Sequence, residues 1–195
     1  MATTEKYVKK QNFLIGMAVS LVIGFLGGVA FSSYQSPGIT EVAQSPPSQQ
    51  QNQSAGKIAS LEQAVREHPD SVAAWTQLGH AYFDSNQPAK AIHAYNRSLA
   101  LAPGDPAILT DLGVMYRRNN QPRQAIAAFD KALQVNPRFE QALFNRGVVL
   151  LNDLNETGNA IRSWRQLLKI NPMATGPNGE PVSKMISHVE ARSRK

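Results

Sequence analysis

The sequence predicts an all-α protein, a short solenoid of paired helices behind a single N-terminal transmembrane helix. Three observations carry this expectation. Residues 13–32 form an uncharged apolar run; prolines recur at a spacing of 34 residues (Pro69, Pro103, Pro137), with Pro172 following after 35; and small and aromatic residues recur in register with those prolines. A fixed period of this length is the mark of a repeat array, in which each unit buries its apolar face against the next.

Composition narrows the function. A chain of 195 residues without Cys holds about one globular domain plus appendages, and has no disulfide, thiolate metal site or cysteine nucleophile. The formal charge is +6, but from Lys57 onward 17 Lys+Arg stand against 12 Asp+Glu, scattered along the helical pattern. Scattered positives are solvated helix faces. With no recognised nucleic-acid-binding module, no nucleic-acid partner is expected.

Taken in order, residues 1–12 carry Lys6, Lys9 and Lys10, and no further Lys or Arg appears until Lys57. The positive-inside bias therefore places the N-terminus in the cytoplasm and the remainder in the periplasm or an equivalent extracytoplasmic space. The run FLIGMAVSLVIGFLGGVAFS, residues 13–32, is long enough to cross a hydrocarbon core of about 30 Å as a helix. Gly28–Ala30 resembles a small-residue cleavage site, yet the run is long for a signal peptide, so an uncleaved inner-membrane anchor is expected. Gly16, Ser20, Gly24, Gly28 and Ser32 fall on one ridge of that helix. Such a ridge admits the close approach of a second spanning helix, from another copy or from another membrane protein. Residues 33–56, rich in Pro, Gln and Ser, read as a flexible linker with an r.m.s. reach of about 25 to 30 Å.

From Lys57 the repeat takes over. Trp75, Leu78, Gly79 and Tyr82 are followed by Ala91, Tyr95 and Pro103; Leu109, Leu112, Gly113 and Tyr116 by Ala125, Phe129 and Pro137; Leu143, Gly147 and Leu150 by Ala160, Trp164 and Pro172. This pattern resembles the tetratricopeptide repeat family, which implies helical hairpins with the small residues where paired helices pack closely and the aromatic ones filling the space between them. Residues 57–71 then read as an incomplete repeat or N-terminal cap helix, 72–105, 106–139 and 140–173 as three repeats, and 174–195 as a loop and C-terminal capping helix. In the cap, Val182, Met185, Ile186 and Val189 form a helical stripe. The third repeat departs from the pattern: Arg146 stands where the family has Leu, Leu150 where it has Tyr, and one residue is inserted in LNDLNETGNA. Ser71, Asp105 and Asn136 are candidate helix starts, and the recurring NQP at Asn86 and Asn120 reads as a left-handed turn into a proline-initiated helix.

No catalytic constellation is present, so no enzyme activity and no cofactor are expected; the four histidines are far apart in sequence and no phosphate loop or nucleophile elbow occurs. His80 and Asp84, at i and i+4, supply two potential metal ligands without a third. The resemblance instead places function on the concave face, lined by the first helix of each repeat. Carried over position by position, that face includes Thr76, Gln77, His80, Phe83 and Asp84; Thr110, Asp111, Val114, Arg117 and Arg118; and Gln141, Phe144, Asn145, Val148, Leu151 and Asn152. Phe83, Val114, Phe144 and Val148 would form an apolar strip for a peptide, and Arg117 and Arg118 would pair with its carboxylates. The family's Lys-and-Asn carboxylate clamp is not reproduced, since Thr76 and His80 hold its first two positions.

The layout of anchor, polar linker and short repeat array, together with LEQAVREHPDSVAAW, resembles bacterial tetratricopeptide factors of cytochrome c maturation. That resemblance implies capture of an apocytochrome tail. The competing expectation is an oligomeric membrane scaffold acting through the Gly16 to Ser32 ridge.

Overall fold

The computed structural model describes residues 49–193. The spanning run, its small-residue ridge and the linker up to residue 48 lie outside the described residues. Among those described, no helix is long and apolar enough to cross a membrane.

Among the described residues eight helices follow one another: α1 (Gln49–Glu67), α2 (Val72–Asp84), α3 (Pro88–Leu101), α4 (Pro106–Arg118), α5 (Pro122–Val135), α6 (Glu140–Asn152), α7 (Thr157–Ile170) and α8 (Val182–Ser193). They form an all-α solenoid of the tetratricopeptide type in which α2/α3, α4/α5 and α6/α7 are the hairpins. One boundary differs from the sequence expectation: α1 begins at Gln49, so the last eight residues of the expected linker are helical. Gln and Ala are good helix formers, and this polar stretch continues the helix that Ile58, Leu61 and Val65 anchor to the core.

Local chemistry fixes the hairpins. The Ser71 side chain accepts from the Ala74 N–H at 3.2 Å, and Asp105 Oδ1 accepts from the N–H groups of Ala107 at 2.8 Å and Ile108 at 3.2 Å, capping α2 and α4. Pro88, Pro106 and Pro122 occupy first-turn positions, where a missing N–H costs nothing. Asn86 and Asn120 adopt φ of 52° and 57°, reversing the chain within each hairpin; Asn155, at φ 57°, performs the same reversal in the third repeat, where the sequence motif is absent. Asn136 starts no helix. It ends α5, and its Oδ1 accepts from the Arg138 N–H at 3.0 Å, while Phe139 precedes α6 without a side-chain cap.

The core runs along the seam between first and second helices. Tyr95, Phe129 and Trp164 are buried, each beneath a glycine of the preceding helix: Gly79, Gly113 and Gly147. Trp75 and Trp164 are core residues whose indole N–H groups donate to the carbonyls of Pro69 (2.9 Å) and Phe144 (3.1 Å). Arg146, the departure in the third repeat, reaches back to Asp130 on α5 at 2.6 Å and donates to Ser163 on α7 at 2.6 Å, linking two repeats with an ion pair where the family uses apolar packing. At the C-terminal end, Val182 and Ile186 of α8 cover Leu143, Trp164 and Leu167. The connecting loop is closed by Val182 N–H to Ala174 O (2.9 Å) and Gly176 N–H to Glu180 O (2.8 Å).

Candidate functional site

The expected groove residues separate into three groups. The first faces inward. Thr110 is 3 % exposed and its hydroxyl donates to the Pro106 carbonyl at 2.7 Å, so it lines no open surface. Thr76 is half-buried with its hydroxyl 2.6 Å from that of Ser98 on α3, which stitches one hairpin together.

The second group is taken up by the cap. Phe144, Val148 and Leu151 pack in the same apolar cluster as Met185 and Val189 of α8, and Phe144 lies against the Trp164 ring with centroids 6.5 Å apart. A capping helix must cover the last repeat's apolar face, and here α8 packs on α7 and draws these half-buried side chains of α6 into the terminal cluster. Beside it a shallow cavity of about 470 Å³ remains open, lined by Gln141, Phe144, Asn145, Asn171 and the Met173–Pro177 turn, and a second, of about 640 Å³, is lined by α3, α4 and α5. Asn152 is exposed at the end of α6.

The third group forms an open strip on α2 and α4. Gln77, His80 and Asp84 are exposed, with Phe83 and Val114 half-buried between the two helices. His80 Nε2 stands 3.6 Å from Asp111 Oδ2, across the helix pair, rather than joining Asp84 as a ligand pair. No group of three metal-ligating side chains occurs among the described residues. The two arginines are engaged. Arg117 Nε donates to Asp153 Oδ2 at 2.6 Å, and Arg118 lies over the Phe83 ring at 4.6 Å while donating to the Phe83 carbonyl at 3.3 Å. Arg118 therefore serves the C-terminal end of α2, where a cation is favoured, and clamps one repeat to the next.

Beneath the strip lies Tyr95. It is 0 % exposed, its ring meets His80 edge-on at 5.7 Å between centroids, and its hydroxyl has no hydrogen-bond partner among the described residues. Burial, then the negative charges of Asp111 and Asp84, hold the Tyr95 phenol well above its usual range. Burial also raises the Asp111 carboxyl; His80 opposes this, and Asp105 and Asp84 add to it. Sequence reasoning assigned Tyr95 to the core and missed its orphan hydroxyl, because Tyr95, Phe129 and Trp164 take the same place in the three repeats and all read there as space-filling aromatics. The presence of Tyr where the next repeat has Phe129 is the signal that marks it.

The tetratricopeptide repeat family model matches residues 78–148, from within α2 to within α6. No curated protein matches the chain. Among solved structures, a crystal structure of MamA is 19 % identical, covering 72 % of this chain and 75 % of that one with a TM-score of 0.63; another is 22 % identical, covering 62 % and 70 % with a TM-score of 0.59. The first tetratricopeptide domain of Spaghetti (RPAP3), bound to the HSP90 peptide SRMEEVD, is 18 % identical, covering 64 % and 94 % with a TM-score of 0.54. The fold is thus that of tetratricopeptide solenoids.

Proposed function

We propose that this chain is a membrane-anchored binding protein that holds a peptide segment of a partner on the concave strip of α2 and α4. The observation that carries this reading is that strip itself: Phe83 and Val114 are half-buried apolar groups flanked by exposed Gln77, His80 and Asp84. Such an arrangement offers an apolar contact with polar groups to set register, which suits an extended or helical peptide rather than a reacting substrate. Peptide binding by a domain of like fold, the one bound to SRMEEVD, supports the reading. Its mechanism is binding without turnover. The apolar run 13–32 and its flanking lysines support an inner-membrane anchor with the solenoid on the extracytoplasmic side. On that side, the layout favours a role in assembling envelope proteins such as c-type cytochromes.

Capture from envelope extracts by the full-length chain tests this, beside a Gln77→Trp variant that fills the strip from an exposed position. The reading expects a defined set of proteins held by the native chain and lost by the variant, with apocytochromes among them if the maturation role is right. Identical captures by both would refute it.

A second reading, an oligomeric scaffold, rests on the five small residues of the Gly16 to Ser32 ridge. Replacing Gly24 and Gly28 by Leu would then abolish detergent-resistant association, and an unchanged oligomer size would discard it.

A further inference from the structure

The concave strip has an electrostatic character that the composition of the chain conceals. Although the net charge is positive, the centre of the strip is acidic. Asp84 has no hydrogen bond or ion pair among the described residues, and Asp111 has His80 alone as an ionic partner, at 3.6 Å and neutral whenever the imidazole is unprotonated. Below them sits the buried Tyr95 hydroxyl without a partner. A buried hydroxyl left unpaired is destabilising, so its retention here calls for a reason.

We propose that Asp84, Asp111 and the Tyr95 hydroxyl form a receptor for a lysine side chain of the bound peptide, which makes the preferred partner segment basic. This rests on the groove reading above and specifies the chemistry of its ligand. An ammonium is a compact charge with three donors, and the site offers two carboxylates and a phenolic oxygen as acceptors. His80, edge-on to Tyr95, walls one side, and the Phe83 and Val114 surfaces suit the aliphatic stem of a lysine. Of the arginines that would attract an acidic tail, Arg117 is paired with Asp153 and Arg118 is held over the Phe83 ring and carbonyl at the edge, so the uncompensated negative charge lies at the middle of the strip. The preference is thereby opposite to that for the acidic peptide SRMEEVD seen on the structural neighbour.

The test uses the full-length chain in mild detergent and three fluorescent 12-residue probe peptides, in which leucine alternates with lysine, arginine or glutamate. Binding is read by anisotropy at fixed ionic strength. The lysine peptide should bind at least about tenfold tighter than the glutamate one. Asp84→Asn with Asp111→Asn should remove that preference, whereas Glu67→Gln with Asp70→Asn, an equal loss of charge on α1 and the turn after it, should leave it intact. Tyr95→Phe, which keeps the core aromatic and removes the unpaired hydroxyl, should weaken the lysine peptide about two- to fivefold without lowering the melting temperature. Equal affinity for all probes, no binding of the lysine probe, loss of preference in the Glu67/Asp70 control, or a tenfold preference for arginine would each overturn the proposal. If the glutamate peptide binds and Gln77→Trp displaces it, the groove reading survives and the lysine receptor alone falls.

Discussion

The ring of Tyr95 lies so close under Gly79 that a Cβ added to the glycine would stand 2.5 Å from its Cδ1. The same relationship joins Gly113 to Phe129 and Gly147 to Trp164, so each hairpin is set by one glycine–aromatic contact that admits no side chain. Gly113→Ala should therefore destabilise the protein by about 2 kcal/mol through overpacking, in spite of the better helix propensity of Ala. Thermal and urea unfolding would measure it; an unchanged or raised midpoint would show that the aromatic ring yields.

The hairpin turns make a paired prediction. At Asn86 and Asn120 the backbone is left-handed, with φ of 52° and 57°. Asn120→Ala should cost about 1 kcal/mol while Asn120→Gly should be near neutral, because the penalty comes from a Cβ in that conformation. Chemical denaturation of the two variants separates backbone strain from loss of an amide side chain.

Arg146 bridges Asp130 and Ser163 where the repeat pattern calls for Leu. Arg146→Ala should destabilise by about 1 kcal/mol, leaving Asp130 without its partner, whereas Arg146→Leu should recover most of that loss by restoring apolar packing. Urea midpoints for the two variants check the ordering, and equal losses would show that only the ion pair matters.

Stability at high pH should report on Tyr82. Its hydroxyl donates to the Glu62 carboxylate at 2.5 Å, and burial, that hydrogen bond and the Glu62 charge together push the phenol up to about 12 from an ordinary 10.0. Between those values the unfolded chain releases this proton and the folded chain keeps it. The contribution is thus fully present below pH 10 and is lost as pH rises towards 12. Tyr82→Phe should flatten the fall of the melting temperature across that window, and an identical slope would remove Tyr82 from the account.

The fold was legible because each repeat position has a steric reason to exist: glycine over aromatic, asparagine in the left-handed turn, proline at the first helical position. The third hairpin turn was not, since Asn155 makes the same reversal without the motif that marked Asn86 and Asn120. The site was legible only in part. Position within a repeat places Phe144 and Val148 on the concave face, but it carries no information on where α8 docks, and Met185 and Val189 of that helix join them in one apolar cluster. Position alone offers Arg117 and Arg118 to a ligand's carboxylates, because their partners within the chain, Asp153 and the Phe83 ring, lie 35 or 36 residues away, each in an adjacent repeat. The Tyr95 hydroxyl was hidden for a similar reason, as its significance comes from the acids of two neighbouring helices.

The central claim is that the strip on α2 and α4 is where a partner binds. Site-specific photo-crosslinking tests it most directly, with a photoreactive amino acid at Gln77 in the strip or at Gln134 in the cavity lined by α3, α4 and α5, each in the full-length chain expressed in cells. The account predicts a discrete crosslinked partner from Gln77 and none from Gln134. A partner captured from Gln134 and not from Gln77 would contradict it.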